Sequence, residues 1–405
     1  MKRAVATGLI GLAAVLLPVA LVLSHRNLVI VFGLIGLAGL SSLWGRGRPS
    51  EWVLWLFGLM AYASLTCLWS PYEDALMWPG YLLALGVLSY AAMGAGDRQL
   101  STFILGAGAL SLVLLTFEAA TGGLIRDITP PESRPDKDYI ASGRGVTAAL
   151  YLGPVLLLVL TRYRRWVAAC IVLLCLGIAA ASFGITANIV AFMAACIAAL
   201  FTYRWPRLGL RLMVVGAGVG FFIMPLFALS LPPVETLLAL EEGPISWRSR
   251  LVIAKAVVTY LPDEPLALIF GHGVESARSL GEELGHVRLF GAIEPLHMIP
   301  SHPHNLYLQT WYELGLVGVC LSVTALWRGG QAILAGVSTR DMAAAIAALG
   351  GMITVFASVD ASFWTLWRVV APLLGIWLLL HRSPEKGRPI GDSTASSIQA
   401  DRPMG

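Results

Sequence analysis

Residues 302–318 read H-P-H-N-L-Y-L-Q-T-W-Y-E-L-G-L-V-G, and the two halves of this stretch suit different solvents. Two histidines and an asparagine at its start belong in water. From Leu306 onward the side chains suit a membrane helix. Immediately upstream, from about 232 to 304, lies the one long polar segment of an otherwise apolar chain. A hydrophilic, histidine-bearing loop that runs into an apolar helix is a place for chemistry at a bilayer surface.

Of the 405 residues, 57% are hydrophobic and 13% charged. A soluble domain carries about 25% charged residues, so half the usual charge is missing. Apolar runs of roughly 20 residues recur, each able to span a ~30 Å hydrocarbon core. The chain reads as an all-α polytopic membrane protein of about 12 transmembrane helices, without an internal repeat. The runs fall near 4–24, 28–44, 53–69, 75–93, 102–119, 146–161, 167–181, 185–203, 210–231, 305–327, 343–359 and 364–380. The first has the outline of a signal peptide, but it is long and lacks a small-x-small cleavage site, so it reads as an uncleaved span. Cys67, Cys170, Cys175, Cys196 and Cys320 all sit within apolar runs, as small core residues without zinc-site spacing. No cofactor, metal or nucleic-acid partner is expected.

Basic residues set the orientation. Lys2 and Arg3, Arg46 and Arg48, Arg98, Arg162 with Arg164 and Arg165, Arg204 with Arg207 and Arg211, and Arg328 with Arg340 share one side with the tail. Excess Lys and Arg in short loops marks the cytoplasm, so both termini are expected inside. Residues 1–231 then carry spans one to nine, and 232–304 form a long periplasmic loop between spans nine and ten. Spans ten to twelve occupy 305–382, and the polar tail 383–405 is expected to be disordered. A shorter outward segment, 121–145, contains Asp136-Lys137-Asp138, which reads as a solvated turn rather than a metal-binding acidic pair.

Within the long loop, Ser246-Trp247-Arg248-Ser249-Arg250-Leu251 opens an amphipathic helix that Pro262 stops. Steps of 100° place Arg248, Lys255 and Thr259 on the polar face, and Arg250 opposite, among Trp247, Ala254, Val257 and Leu261. A guanidinium turned inward needs a partner. It is either half of a structural ion pair or, the reading favoured here, a fork for an anionic substrate. Downstream, Gly271-His272-Gly273 permits a tight turn and close backbone approach to a ligand. Five of seven histidines lie between His272 and His304, though without the helical spacing of a metal site. Within the bilayer, Glu313 and Arg368 are expected to pair, because an unpaired charge there costs roughly 2.5–3.5 kcal/mol.

These residues resemble a known family. His304-Asn305, nine residues, then Gly315-Leu316-Val317-Gly318 is similar to the H-N-x9-G-x-x-G signature of the O-antigen ligase and polymerase superfamily. Ser246-x3-Arg250, the Gly271-His272-Gly273 turn, Leu65 to Pro71 and Arg144 also match, and the variant here looks closest to the ligase branch. The resemblance implies transfer of a glycan from undecaprenyl diphosphate to a lipid A-core sugar hydroxyl, at the periplasmic face of the bacterial inner membrane. By position, His304 would be the general base and Arg250 would hold the donor diphosphate. Arg248, Arg278 and Arg144 are further candidates for the diphosphate, and His302 and Asn305 for substrate contact. His302 remains an alternative base, and His304 could instead be a neighbour of a helix cap. The competing functions are a polymerase of the same superfamily and, from another class, a transporter or lipid flippase. The latter usually shows duplicated halves and broken mid-membrane helices.

Overall fold

A helix stands under each apolar run. The computed structural model describes residues 2–45, 48–95, 98–127, 135–261, 265–292 and 295–382. Among these residues, nine helices are long and apolar enough to cross a membrane. The pair Ala141–Leu150 and Gly153–Arg162, bent by 42°, makes a tenth if it is one span. Trp166–Ala181 and Leu366–His381 are shorter. Sixteen residues rise only about 24 Å, short of a ~30 Å core. Length and composition therefore support nine or ten crossings of the expected twelve. Large side chains lie bare along these helices, among them Val15, Val167 and Leu200 at 70%, 76% and 74% exposed. Such a continuous apolar exterior is what lipid solvates, and the chain is a multi-pass membrane protein. The main core joins the first helix, Lys2–Val22, to Leu28–Gly39, Arg98–Thr121 and the last helix, Leu366–Arg382. Trp377 of that last helix seals it by donating its indole N–H to the Ala92 carbonyl at 2.8 Å.

Two expectations change. The backbone of Asp136-Lys137-Asp138 lies in the helix Pro135–Leu150, not in a turn. Cys170 and Cys320 are exposed rather than core residues. The expectation for the tail 383–405 lies outside the described residues.

The segment between the ninth and tenth expected spans is folded. It holds the helices Val234–Leu238, Ile245–Tyr260, Pro265–Phe270 and Ser276–Leu284. A two-residue ribbon pairs His286–Val287 antiparallel with Leu296–His297. Arg250 takes the inward direction read from the helical wheel. Arg248 does not take the wet one: it is 5% exposed, and its Nη1 donates to the Leu240 carbonyl. The reason is that Leu237, Val252 and Leu289 form a small core that covers this face.

The signature span, Leu306–Gly336, is not one regular helix. A π-helical turn runs over Thr310–Leu314, and Gly315 follows with φ +61°. Carbonyls released by such a break need donors from elsewhere. The Gly271-His272-Gly273 turn supplies them. His272 N donates to the Tyr312 carbonyl at 2.9 Å and Gly273 N to the Glu313 carbonyl at 3.0 Å. A Cβ at Gly271, where φ is +77°, would stand 2.2 Å from the Glu313 oxygen. The close backbone approach expected of this turn is made to the span itself. Residues of the 65–71 stretch fasten it: Trp69 Nε1 donates to the Gly271 carbonyl at 3.0 Å and Ser70 Oγ to the Val274 carbonyl at 2.5 Å.

Candidate active site

Asn305 starts the signature span. Its Oδ1 accepts from Leu308 N at 3.0 Å, capping the helix, and its Nδ2 donates to the Ser358 carbonyl at 2.9 Å. One end of the side chain thus caps the span, and the other joins it to the helix Arg340–Val359. Held against that anchor, His304 adopts φ +53°. A left-handed conformation in a non-glycine residue costs of order 1–3 kcal/mol and persists only where its surroundings impose it. Here the sharp reversal leaves a quarter of the imidazole exposed.

Around it is a cluster of charge. His304 Nδ1 lies 3.4 Å from Asp360 Oδ1, without completing a hydrogen bond. Arg368 Nη2 donates to the same oxygen at 2.9 Å, and its Nη1 meets His302 Nε2 at 2.6 Å. His302 Nδ1 is 3.0 Å from Ser301 Oγ, so both nitrogens of this ring are occupied. The two imidazoles are 4.4 Å apart, centroid to centroid. Arg250 reaches the cluster from the amphipathic helix, its Nε donating to the Val359 carbonyl at 2.6 Å and its Nη1 to the Ser246 carbonyl at 2.7 Å.

These contacts set the protonation states. Burial would raise the Asp360 carboxyl, but Arg368, His304 and Arg250 outweigh it and hold the group down at about 2. Burial lowers His304 below the ordinary imidazole value, Asp360 opposes that shift, and Arg368 and Arg250 add to it. His302 falls to about 2, through burial and then the charges of His304 and Arg368. The site therefore holds neutral imidazoles beside a fixed carboxylate and two guanidinium groups.

The expected pairing of Glu313 with Arg368 does not form. Arg368 belongs to Asp360. Glu313, 1% exposed, accepts from Trp364 Nε1 and from Gln309 Nε2 at 3.1 Å. Both neutral donors bind Oε2 in place of a cation, and the buried Oε1 has no hydrogen-bond partner among the described residues.

His304 and Arg250 line one cavity of about 470 Å³, together with Arg144, Asn305, Asp360 and Arg368. Met224, Phe227, Trp247 and Leu251 add apolar lining, of which Phe227 and Trp247 are about half exposed. Arg278 and His302 line a neighbouring cavity, and Arg144 and Arg368 line both. Arg248 lines neither of these two. Asp360 escaped the sequence reading because it ends an apolar run as a lone acid. The available signal was Arg368 eight residues on, at the mouth of the next apolar run.

Residues 184–323 match the family model for O-antigen ligase. Over these residues the chain is similar to the O-antigen ligase family. The match contains Arg250, the glycine turn, His304-Asn305 and Gly315; Arg144, Asp360 and Arg368 come to the same cavity from outside it. Members of the family are membrane glycosyltransferase-type enzymes acting on lipid-linked glycans and lipid acceptors, a likeness that supports an enzyme in general. No curated protein and no solved structure matches the chain.

Proposed function

We propose that the protein is an O-antigen ligase, moving a glycan from undecaprenyl diphosphate to a sugar hydroxyl of lipid A-core on the periplasmic face of the inner membrane. The observation that carries this reading is the single cavity lined by both His304 and Arg250 and also by apolar side chains, two of them half exposed. The diphosphate sits against Arg250, Arg144 and Arg368, and the polyprenyl chain leaves along Phe227 and Trp247. His304 takes the proton of the acceptor hydroxyl, whose oxygen bonds to the donor sugar carbon as the bond from that carbon to the diphosphate oxygen breaks. Neutral imidazole at periplasmic pH suits a general base. Fixed guanidinium groups stabilise the charge that develops on the leaving diphosphate, the role that metal-free transfer needs filled.

His304 is preferred to His302 as base because Arg368 and Ser301 already occupy both His302 nitrogens. Asp360 then steadies the imidazolium. His302 and Asn305 position their neighbours, and Arg248 anchors the segment at Leu240. The domain division at 231, 304 and 382 and the cytoplasmic termini belong to the same proposal. Expression in a ligase-null strain tests it by gel analysis of lipopolysaccharide. Restored ladders of long glycan, lost in His304→Ala and Arg250→Ala, are the expected result. Chains that lengthen on the undecaprenyl carrier, with lipopolysaccharide left bare, would overturn it in favour of a polymerase.

A further inference from the structure

Beyond Arg368 lies the second cavity, of about 450 Å³. Its lining brings four arginines, Arg26, Arg144, Arg278 and Arg368, against one carboxylate, Glu275. Arg278 donates to the Tyr72 hydroxyl at 2.8 Å and pairs with Glu275 at 3.4 Å. Arg368 is held by Asp360 and His302. The Arg26 side chain is exposed and bonds to no group among the described residues. Facing the same space is His25, 5% exposed, its ring edge-on to Trp367 at 4.7 Å. Among the described residues, neither of its ring nitrogens has a hydrogen-bond partner.

Each feature asks for a different chemistry. An excess of guanidinium groups suits phosphate or carboxylate. A buried imidazole, with one donor and one acceptor to satisfy, suits a hydroxyl. One molecule that offers both is a saccharide carrying an anionic substituent. We infer that this cavity anchors the acceptor: Arg26 and Arg278 hold the anionic group of its sugar, and His25 holds a hydroxyl of the same saccharide. This rests on the ligase reading, because it requires a saccharide acceptor. The donor keeps the first cavity, with its apolar lining. The acceptor occupies the second, and the two meet at the shared wall of Arg144 and Arg368, where the His302 and His304 rings adjoin.

The test titrates deacylated core oligosaccharide, either phosphorylated or phosphatase-treated, onto the full chain in detergent. The wild type is expected to bind the phosphorylated form at least tenfold more tightly. Arg26→Gln removes most of that preference and leaves affinity for the treated form unchanged, and Arg278→Lys, which keeps the charge, retains part of it. His25→Gln weakens both forms alike. Inorganic phosphate competes only at concentrations at least a hundredfold higher. In turnover, the Arg26 and His25 variants raise the acceptor KM while the donor KM and kcat hold. Equal affinity of the wild type for the two oligosaccharides, inorganic phosphate competing as well as the sugar, or a rise in donor KM would each overturn the assignment. Selective binding by a wild type that transfers no glycan would retire the ligase reading and leave the anionic-sugar site standing.

Discussion

His304 is pulled two ways: burial, Arg250 and Arg368 favour the neutral ring, and Asp360 favours the charged one. The sign of the pH dependence follows. With His304 as the proposed base, activity requires the unprotonated ring, so transfer is expected to fall on the acid side, below the ordinary imidazole pKa of about 6.5. Asp360→Asn removes the group that raises the His304 value, so that limb moves to lower pH. It also removes the partner of the imidazolium formed during reaction, so kcat at neutral pH falls about tenfold, roughly 1.4 kcal/mol. The pH profile of kcat checks both, and a limb displaced upward would contradict the arrangement. The two histidines separate in the same assay. His304→Gln should lose about 10²–10⁴-fold in kcat, the range of general-base catalysis. His302→Gln keeps a group able to accept from Arg368 and should lose less than tenfold. Equal losses would move the proton transfer to His302. His304 and Arg250 were legible in the sequence because each is a polar residue out of place, one beside an apolar run and one on a buried helix face. Asp360 was not, since its meaning comes from Arg368 and His304 converging on one oxygen.

The glycine turn and the signature span form a unit in which one element supplies the donors the other lacks. Gly271→Ala sets a Cβ 2.2 Å from the Glu313 oxygen at φ +77°, and Gly315→Ala sets one 2.5 Å from Gly271 N at φ +61°. Left-handed backbone costs about 1–2 kcal/mol for a residue with a Cβ, and overpacking adds typically 1–3 kcal/mol. Both variants should melt markedly lower in detergent, whereas Gly329→Ala, with no atom of the described residues within 4 Å of the added carbon, should not. A second check concerns charge. Because Glu313 and Arg368 have separate partners, losses in Glu313→Gln and Arg368→Gln should add without mutual rescue, to within about 0.5 kcal/mol. Rescue in the double variant would restore the ion pair expected from sequence. That expectation failed because hydropathy shows where a charge sits along a span but not which neighbour reaches it. The helices were legible from apolar run length. The π-turn and the 42° bend before Gly153 were not, because hydrogen-bond register leaves no trace in hydropathy.

Across the whole molecule, the reaction side is tied to the distribution of basic residues. The Arg162, Arg164 and Arg165 turn and the loop carrying Arg250 are expected on opposite faces, and transfer from a lipid-linked donor outside the cell requires the loop to be outermost. Residues Arg165 and Glu242 are both exposed, so a cysteine at either adds a label site without opening the core. The native cysteines must first be removed, since Cys170 and Cys320 are themselves exposed. With a membrane-impermeant maleimide on intact spheroplasts, Glu242→Cys should label at once and Arg165→Cys only after permeabilisation. The reverse pattern would turn the His304 cavity toward the cytoplasm, where an undecaprenyl-linked glycan already carried outward is out of reach. The same pattern would also invert the reading of the arginine-rich turns. Labelling of both sites in intact cells would mean an even number of crossings between them, instead of the three that the proposed topology assigns to the helices Trp166–Ala181, Thr186–Arg204 and Pro206–Ser230.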